Sequence, residues 1–405
     1  LNQFGYPEAS LHPHKGLNIV HTLLKMGRHQ EAASLYRGSL NNALLFNLEA
    51  YSEVLSLLNY FFPSGWDVLP SGVTRSYSSY MLACAGYALH GLLEHELAQS
   101  VINVSARINI DDQNWSDFGS NLANLIAIHL AQNRLGKMRR LEGLALQLAL
   151  TTEYTERIFK ARLSIFSSDT ILGNWKNADT NWNLLNKMGR NWSRPSYRPG
   201  TAERVYAIYQ FYKGEEAESH LAMAEKLARA DKDRDGIRRI KKQRSFWNLG
   251  KKEWELAVAN LTEALRMARE RGLSDTESET GLALAKLHID QLQNPIQEAQ
   301  RLAKFRNPAH YYLALLWQAI GDLKQAQHHA LAAYRYAWAD GEPYVHRYKL
   351  NQATALLNEL QVPIPDLPPY DPAKDEPSPW EAEVEAAIEK LKAEKAAEEG
   401  GKKEE

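Results

Sequence analysis

The sequence predicts an all-α protein made of stacked helical hairpins, and three observations carry that prediction. Apolar residues recur at helical spacing between turn signals, and the few Val/Ile clusters sit inside that spacing instead of alternating as a strand would. A small or apolar residue a few positions after each inter-helix turn recurs through the chain at Ala32, Ala98, Met138, Ala178, Ala217, Ala257, Ala299 and Ala326. The gaps between them are 66, 40, 40, 39, 40, 42 and 27 residues, so a unit near 40 residues persists through the middle. The most regular unit is Ala309–Ala333, AHYYLALLWQAIGDLKQAQHHALAA. Leu313, Ala314 and Trp317 share one helical face; Leu323, Ala326, Ala330 and Ala333 share the other. Gly321 supplies a helix stop and Asp322 a cap for the next helix. A hairpin of this kind cannot bury its apolar face alone and needs stacked neighbours.

Taken in order, residues 1–13 are a lead-in, and the first hairpin spans His14 to Leu40 with its turn at Gly27-Arg28-His29. A long apolar helix is expected from Leu44 to Phe62, ended by Pro63, Gly65, Pro70 and Gly72. The third pair runs from Ser78 to Ile108 and turns near His90-Gly91, and Asp111–Asp117 reads as a polar connector. Further pairs turn at Asn133, Gly173-Asn174, Gly214, a two-residue-longer turn before Trp254, and Asn294-Pro295. Asn191–Gly200, with Pro195 and Pro199, is a loop. The repeat region thus covers 14–340. Residues 341–361 form a capping helix started by Pro343. Residues 362–380 are a Pro-rich linker, with seven prolines between Val362 and Pro379, and should be extended. Residues 381–405 form a flexible, charged tail, helical to about Glu399 and frayed in its last residues. From Asp366 onward there are 13 Asp and Glu against six Lys, so this end is acidic while the 405-residue chain as a whole has a formal charge of −1.

That near-neutral balance argues against a dedicated nucleic-acid or membrane-surface protein, and no apolar run reaches membrane-spanning length. One cysteine, Cys84, excludes an internal disulfide and a multi-cysteine metal site. It lies in an apolar helical pattern and reads as a small core residue. The chain begins with Leu, not Met, which leads us to expect that it continues a longer polypeptide; a cytoplasmic location is expected.

The turns share a second regularity. Gly321-Asp322-Leu323 is followed by Ala326, Gly173-Asn174-Trp175 by Ala178, and Gly27-Arg28-His29 by Ala32; Lys251-Lys252-Glu253-Trp254 is followed by Ala257 and Ala264, and Ala333 fills a later small position. This pattern resembles the tetratricopeptide repeat, although the period is nearer 40 than that family's 34 and Met138 stands where Ala is usual. The resemblance implies a right-handed α-solenoid of eight or nine hairpins, with the first helix of each pair lining a concave groove. Projected onto this sequence, the family's groove positions are Lys160, Ser167, Arg204, His288, Gln291, Tyr311 and Gln318.

The long period, the stretch Gly119-Ser120-Asn121-Leu122-Ala123-Asn124-Leu125 and the closing segment AWADGEPYVHRY…LNEL…LPPYDPAKDE resemble the C-terminal arrays of bacterial STAND-type signalling NTPases. Similar arrays accompany caspase-like protease domains. That resemblance implies a sensor region that binds a protein or peptide, with the nucleotide chemistry upstream of Leu1 in the same polypeptide. A stand-alone co-chaperone or assembly scaffold is the alternative.

Motifs for chemistry are sparse. The sequence holds no G-x-x-x-x-G-K-[ST], no G-x-S-x-G and no H-E-x-x-H. Asp231-Lys-Asp-Arg-Asp-Gly236 imitates the start of a calcium loop, but its twelfth position is Lys242, not a carboxylate. His328 and His329 are adjacent on a helix and diverge by about 100°. A basic stretch contains Arg229, Lys232, Arg234, Arg238, Arg239, Lys241, Lys242 and Arg244. It reads as a solvated face, with an acidic ligand, such as the chain's own tail, as the other possibility. The expectation is a non-enzymatic recognition protein with no cofactor or metal, and with neither membrane nor nucleic acid as partner.

Overall fold

The computed structural model describes residues 13–189, 198 and 200–401. The lead-in, most of the Asn191–Gly200 loop and the last four residues lie outside them. The described residues are α-helical with no strand; one isolated bridge joins Gly341 and Tyr344. The chain divides into two units, residues 1–165 with 372–405, and residues 166–371.

In the first unit, α1 (Pro13–Lys25) and α2 (His29–Leu35) form the opening hairpin, followed by α3 (Tyr51–Asn59). The expected single helix from Leu44 to Phe62 is not one helix. A π-helical segment, Ala43–Asn47, ends where Glu49 takes φ +51°, and α3 begins after it. Then come α4 (Arg75–Gly91), α5 (His95–Asp111), α6 (Trp115–Ala131) and α7 (Leu135–Thr151), each 17 residues long. Seventeen residues give a rod of about 25 Å.

The turns between these helices are alike. Leu93, Gln113, Asn133 and Glu153 all have positive φ, as does Gly173 after α8 (Thr155–Leu172), so a left-handed residue recurs every 20 positions. After four of them an amide returns to the carbonyl five residues earlier: Glu94 to Leu89 at 3.0 Å, Asn114 to Asn109 at 2.8 Å, Arg134 to His129 at 2.9 Å and Asn174 to Asp169 at 2.8 Å. These are Schellman closures, which satisfy carbonyls that the helix end would otherwise orphan. They also correct the sequence reading. Asp111–Asp117 is no long connector but a turn of the same length as the one inside the hairpin, and the third pair turns at Leu92-Leu93 instead of at His90-Gly91. Two 17-residue helices and two three-residue turns make the repeat near 40.

The periodic anchors lie where helices cross. Ala32, Ala98, Met138, Ala178, Ala257 and Ala326 are all buried, and the amide of each makes the first helical bond to its cap residue's carbonyl. Ala217 is buried too, but it is the N-cap of its helix, and Leu221 takes the equivalent position. At the α4–α5 crossing a methyl on Gly86 would lie 2.3 Å from Ile102 Cγ1, so only glycine allows the approach seen. Between α4, α5 and α6 runs a buried polar ladder. Ser79 and Ser105 hydroxyls are 2.9 Å apart, Asn121 Nδ2 donates to Ser105 Oγ at 2.8 Å, and Asn109 Nδ2 donates to Asn121 Oδ1 at 2.6 Å. Each buried polar atom in it has a partner, so the ladder fixes which face of each helix turns inward.

The second unit takes the end of α8 and continues with α9 (Trp175–Met188), α10 (Thr201–Tyr212), α11 (Glu218–Ala230), α12 (Arg234–Gly250), α13 (Trp254–Arg269), α14 (Thr276–His288), α15 (Pro295–Ala303), α16 (His310–Ile320), α17 (Leu323–Trp338) and α18 (Arg347–Glu359). Positive φ recurs at 20-residue intervals here as well, at Lys232, Lys252 and Gly272, and again at Gly321, Gly341 and Gln361. The turn before Trp254 is therefore of ordinary length. Pro343 does not open the capping helix; α18 starts at Arg347 behind His346. Residues 362–371 carry no regular secondary structure, Pro372–Lys374 form a short 3-10 turn, and the segment lies against α17. Trp338 Nε1 donates to the Pro368 carbonyl at 2.8 Å, and a Cβ on Gly341 would sit 2.7 Å from that same oxygen.

From Pro372 the chain returns to the first unit, where the helix α19 (Glu381–Gly401) packs on α7.

Two substitutions test this backbone logic. Gly143 is exposed within α7, and a Cβ added there would meet nothing within 4 Å, so Gly143→Ala should stabilise the protein by about 1 kcal/mol. Gln113→Gly, which relieves a left-handed side chain, should add about 0.5–1 kcal/mol, while Gly86→Ala should destabilise. Urea unfolding followed by circular dichroism measures all three.

Candidate recognition groove

Within the second unit α10, α12, α14 and α16 contact one another in turn, and side chains of α18 join them. Tyr212 at the end of α10 stacks on Tyr348 at the start of α18, with centroids 4.2 Å apart and planes 5° from parallel. Phe211 packs on the same Tyr348 at 5.6 Å and on Trp247 of α12 at 5.0 Å. Phe246 of α12 stacks on Tyr312 of α16 at 5.1 Å, and Tyr311 meets Tyr312 edge-on at 5.3 Å. Four helices, α10, α12, α16 and α18, thereby contribute aromatic side chains to one lining.

Charge in this lining is balanced. Lys242 Nζ lies 2.7 Å from Asp275 and 3.2 Å from Glu277, and Lys349 Nζ is 3.6 Å from Glu277. Asp275 also caps α14, accepting from the Ser278 amide at 3.1 Å. Burial alone would push the Glu277 carboxyl up, but Lys349 and Lys242 outweigh it and hold its pKa down at about 2. Burial likewise opposes the Lys242 charge, and Asp275 and Glu277 raise its pKa in spite of that. Burial also raises the Tyr348 phenol to about 12, with Tyr212 and Tyr311 adding to it, and raises Tyr312 well above the usual phenol range. These phenols are neutral donors at physiological pH. The lining therefore offers flat aromatic faces, hydroxyls and one fixed Lys–Glu–Lys bridge.

Of the seven groove positions projected from the sequence, Tyr311 belongs to this lining. Gln318, on the same helix, donates to Glu359 of α18 at 2.6 Å. His288 stacks on Trp254 with centroids 4.0 Å apart, and Gln291 is exposed in the turn after α14. Ser167 is half-buried on α8. Arg204 on α10 is half-buried, and burial, followed by the nearby charges of Arg239 and Arg198, lowers its pKa to about 10. Lys160 belongs to the first unit and pairs with Glu156 at 2.7 Å. The sequence reading missed Tyr212, Glu277, Tyr312, Tyr348 and Lys349. Tyr312 is one residue from a projected position, and Tyr348 and Lys349 were hidden by treating α18 as a plain cap.

The basic stretch is no free cationic surface. Arg234 pairs with Glu270 at 2.7 Å, Arg238 and Arg239 each with Asp235 at 2.8 Å, Lys241 with Glu225 at 3.7 Å, and Arg244 with Glu218 at 2.8 Å and Glu225 at 2.7 Å. Lys242 is in the groove. One basic helix, α12, is thus tied to acids on α11, α13 and α14 as well as to its own Asp235. The calcium-like loop is a helix start: Asp233 Oδ1 accepts from the Gly236 amide at 2.9 Å, and Arg198 bonds Asp233 at 2.7 Å and Asp235 at 2.6 Å. Among the described residues no group of three or more His, Cys, Asp or Glu is placed to hold a metal, and no helix is long and apolar enough to cross a membrane. Cys84 is buried, and burial pushes its thiol up to about 12.

Compared with known proteins, the chain matches no family model and no curated protein.

Three buried imidazoles set a pH dependence. Burial lowers His346 to about 3, and lowers His329 and His129 to about 4. They are neutral when folded and titrate near 6.5 when unfolded, so below that pH the unfolded chain binds more protons. Stability should be full above about pH 6.5 and fall toward pH 4, by up to about 1.4 kcal/mol per pH unit for each histidine. Thermal unfolding between pH 7.5 and 4.5 checks this, and His346→Gln should flatten the slope.

Proposed function

We propose that this chain is a tetratricopeptide-like recognition scaffold that holds a protein or peptide in the groove of its second unit, and that it serves as the ligand-sensing region of a larger signalling protein. The observation that supports recognition is the lining itself. Tyr212, Tyr311, Tyr312 and Tyr348 sit together on α10, α16 and α18 and are half-buried, not sealed in the core. Tyrosine contributes large, stiff contact area with a hydrogen-bonding tip, which is why it dominates interface hot spots. Two lysines balanced by Asp275 and Glu277 favour a ligand of low net charge, since a strongly charged one must break pairs already made. The role as a STAND-type sensor rests on the sequence resemblance. In that role the ligand acts by its differential affinity for two arrangements of the helices, and α18, which touches both α10 and α16 through side chains, is the element that ligand would shift.

A peptide-display selection against the full chain tests this reading. Peptides in the micromolar range should emerge and compete with one another. The Tyr212→Ala/Tyr348→Ala double variant should bind them 10- to 100-fold more weakly with unchanged helical content. Undiminished binding to that variant rules out this groove, and a selection that enriches no peptide rules out the recognition reading.

A further inference from the structure

The first unit carries a surface on which the chain's own C-terminal segment is seated. The segment after Pro372 carries its own helix start. Ser378 is the cap residue: its amide donates to Glu381 Oε1 at 2.6 Å, and the Glu381 amide returns to the Ser378 carbonyl at 3.0 Å. This is half of a capping box encoded entirely in Ser-Pro-Trp-Glu. Trp380, Val384 and Ile388 follow at i, i+4 and i+8, all on one face and all buried. Trp380 is only 4% exposed; its ring meets Phe118 of α6 perpendicularly at 5.3 Å, and its Nε1 donates to Asn103 of α5 at 3.2 Å.

A ring of charge surrounds that anchor. Arg140 of α7 donates to Glu381 at 2.7 Å and also pairs with Asp375. Arg107 of α5 grips both oxygens of Glu383, at 2.6 and 2.9 Å. Lys137 donates to the Glu376 carbonyl at 3.0 Å, and farther along Lys395 pairs with Glu153 at 2.6 Å. A buried aromatic at the centre with charged pairs at the rim is how a peptide sits on a protein, not how a core packs.

The surface is also larger than its occupant. Asn103 and Arg107, which hold Trp380 and Glu383, form one wall of an open hollow of about 470 Å³ whose other sides include Asp67, Leu69, Arg75 and Val104. The tail leaves this hollow unfilled.

We propose that the α5–α7 face of the first unit is a docking site for acidic amphipathic helices bearing the tail's pattern, a Trp followed by Glu and by apolar residues four and eight positions on, and that the chain's own C-terminal segment is its built-in competitor. The occupant it accepts in trans is a helical peptide of that chemistry. A partner with an extra apolar side chain for the hollow gains contacts that the tail lacks and so displaces it. The tethered tail acts at an effective concentration on the order of millimolar, which keeps the site closed to weak partners and open to strong ones.

The test uses the full-length chain and a fluorescent peptide copying residues 372–401. A Trp380→Ala chain, whose own tail has lost its anchor, should bind the peptide saturably and at least 10-fold more tightly than the natural chain does. Adding Arg140→Ala in that background should abolish the gain. Absence of saturable binding to the Trp380→Ala chain, or equal binding to both chains, overturns the proposal. Hydrogen exchange of the unmodified chain tests it without any substitution. The α19 amides should exchange through a local opening while those of α5–α7 stay protected, and protection of α19 equal to that of α5–α7 overturns it.

Discussion

The structure depends on one backbone constraint: a residue in the left-handed conformation ends a helix and lets the next one start two residues later. At Leu93, Gln113, Asn133, Glu153 and Gly173 this happens at 20-residue intervals, and after Leu93, Gln113, Asn133 and Gly173 the returning amide closes the helix. Helices joined by such turns pack against their neighbours in the chain. The small residues Ala98, Ala178, Ala257 and Ala326 then fall at the crossings without further adjustment. Four of those five left-handed positions carry side chains that pay strain for the conformation, which shows how strongly stacking enforces it.

Electrostatics refine this frame more than they drive it. The basic segment around α12 could have been a patch for an anionic ligand. Instead its cations are distributed over acids on α11, α13 and α14, so the segment ties neighbouring hairpins together. Many of these pairs are partly exposed and individually worth little; their effect is to fix register. Glu277 is different. It sits between Lys242 and Lys349 among aromatic rings, where removing one partner would leave a charge without compensation, and so it holds α12, α14 and α18 in one arrangement around the groove.

The C-terminal segment shows a second use of the same helical surfaces. Arg140 and Arg107, on α7 and α5, are more than 230 residues away in sequence from the acids they bind. The acidic tail and the basic segment are both visible by composition, and pairing one with the other is the obvious guess. The tail's acids Asp375, Glu381 and Glu383 are instead held by Arg140 and Arg107, because the anchor that positions the helix is Trp380 and its cleft is made by Asn103 and Phe118.

The sequence by itself determined the helical class, the hairpin spacing, most turns and the small crossing residues, because these are local: a left-handed residue, a cap and a period of 3.6 are written within a few positions of one another. It also marked the Pro-rich segment and the helical tail by composition. Tertiary structure alone decided which face of each helix turns inward and what meets there. Tyr311 was singled out from the sequence, while the rings it meets or neighbours, Tyr212, Tyr312 and Tyr348, were not. A one-residue error in register turns a helical side chain by about 100°, and α18 reaches α10 only after some 130 intervening residues have been stacked. The docking of Trp380 was hidden for the same reason: its cleft exists only once α5, α6 and α7 are packed side by side.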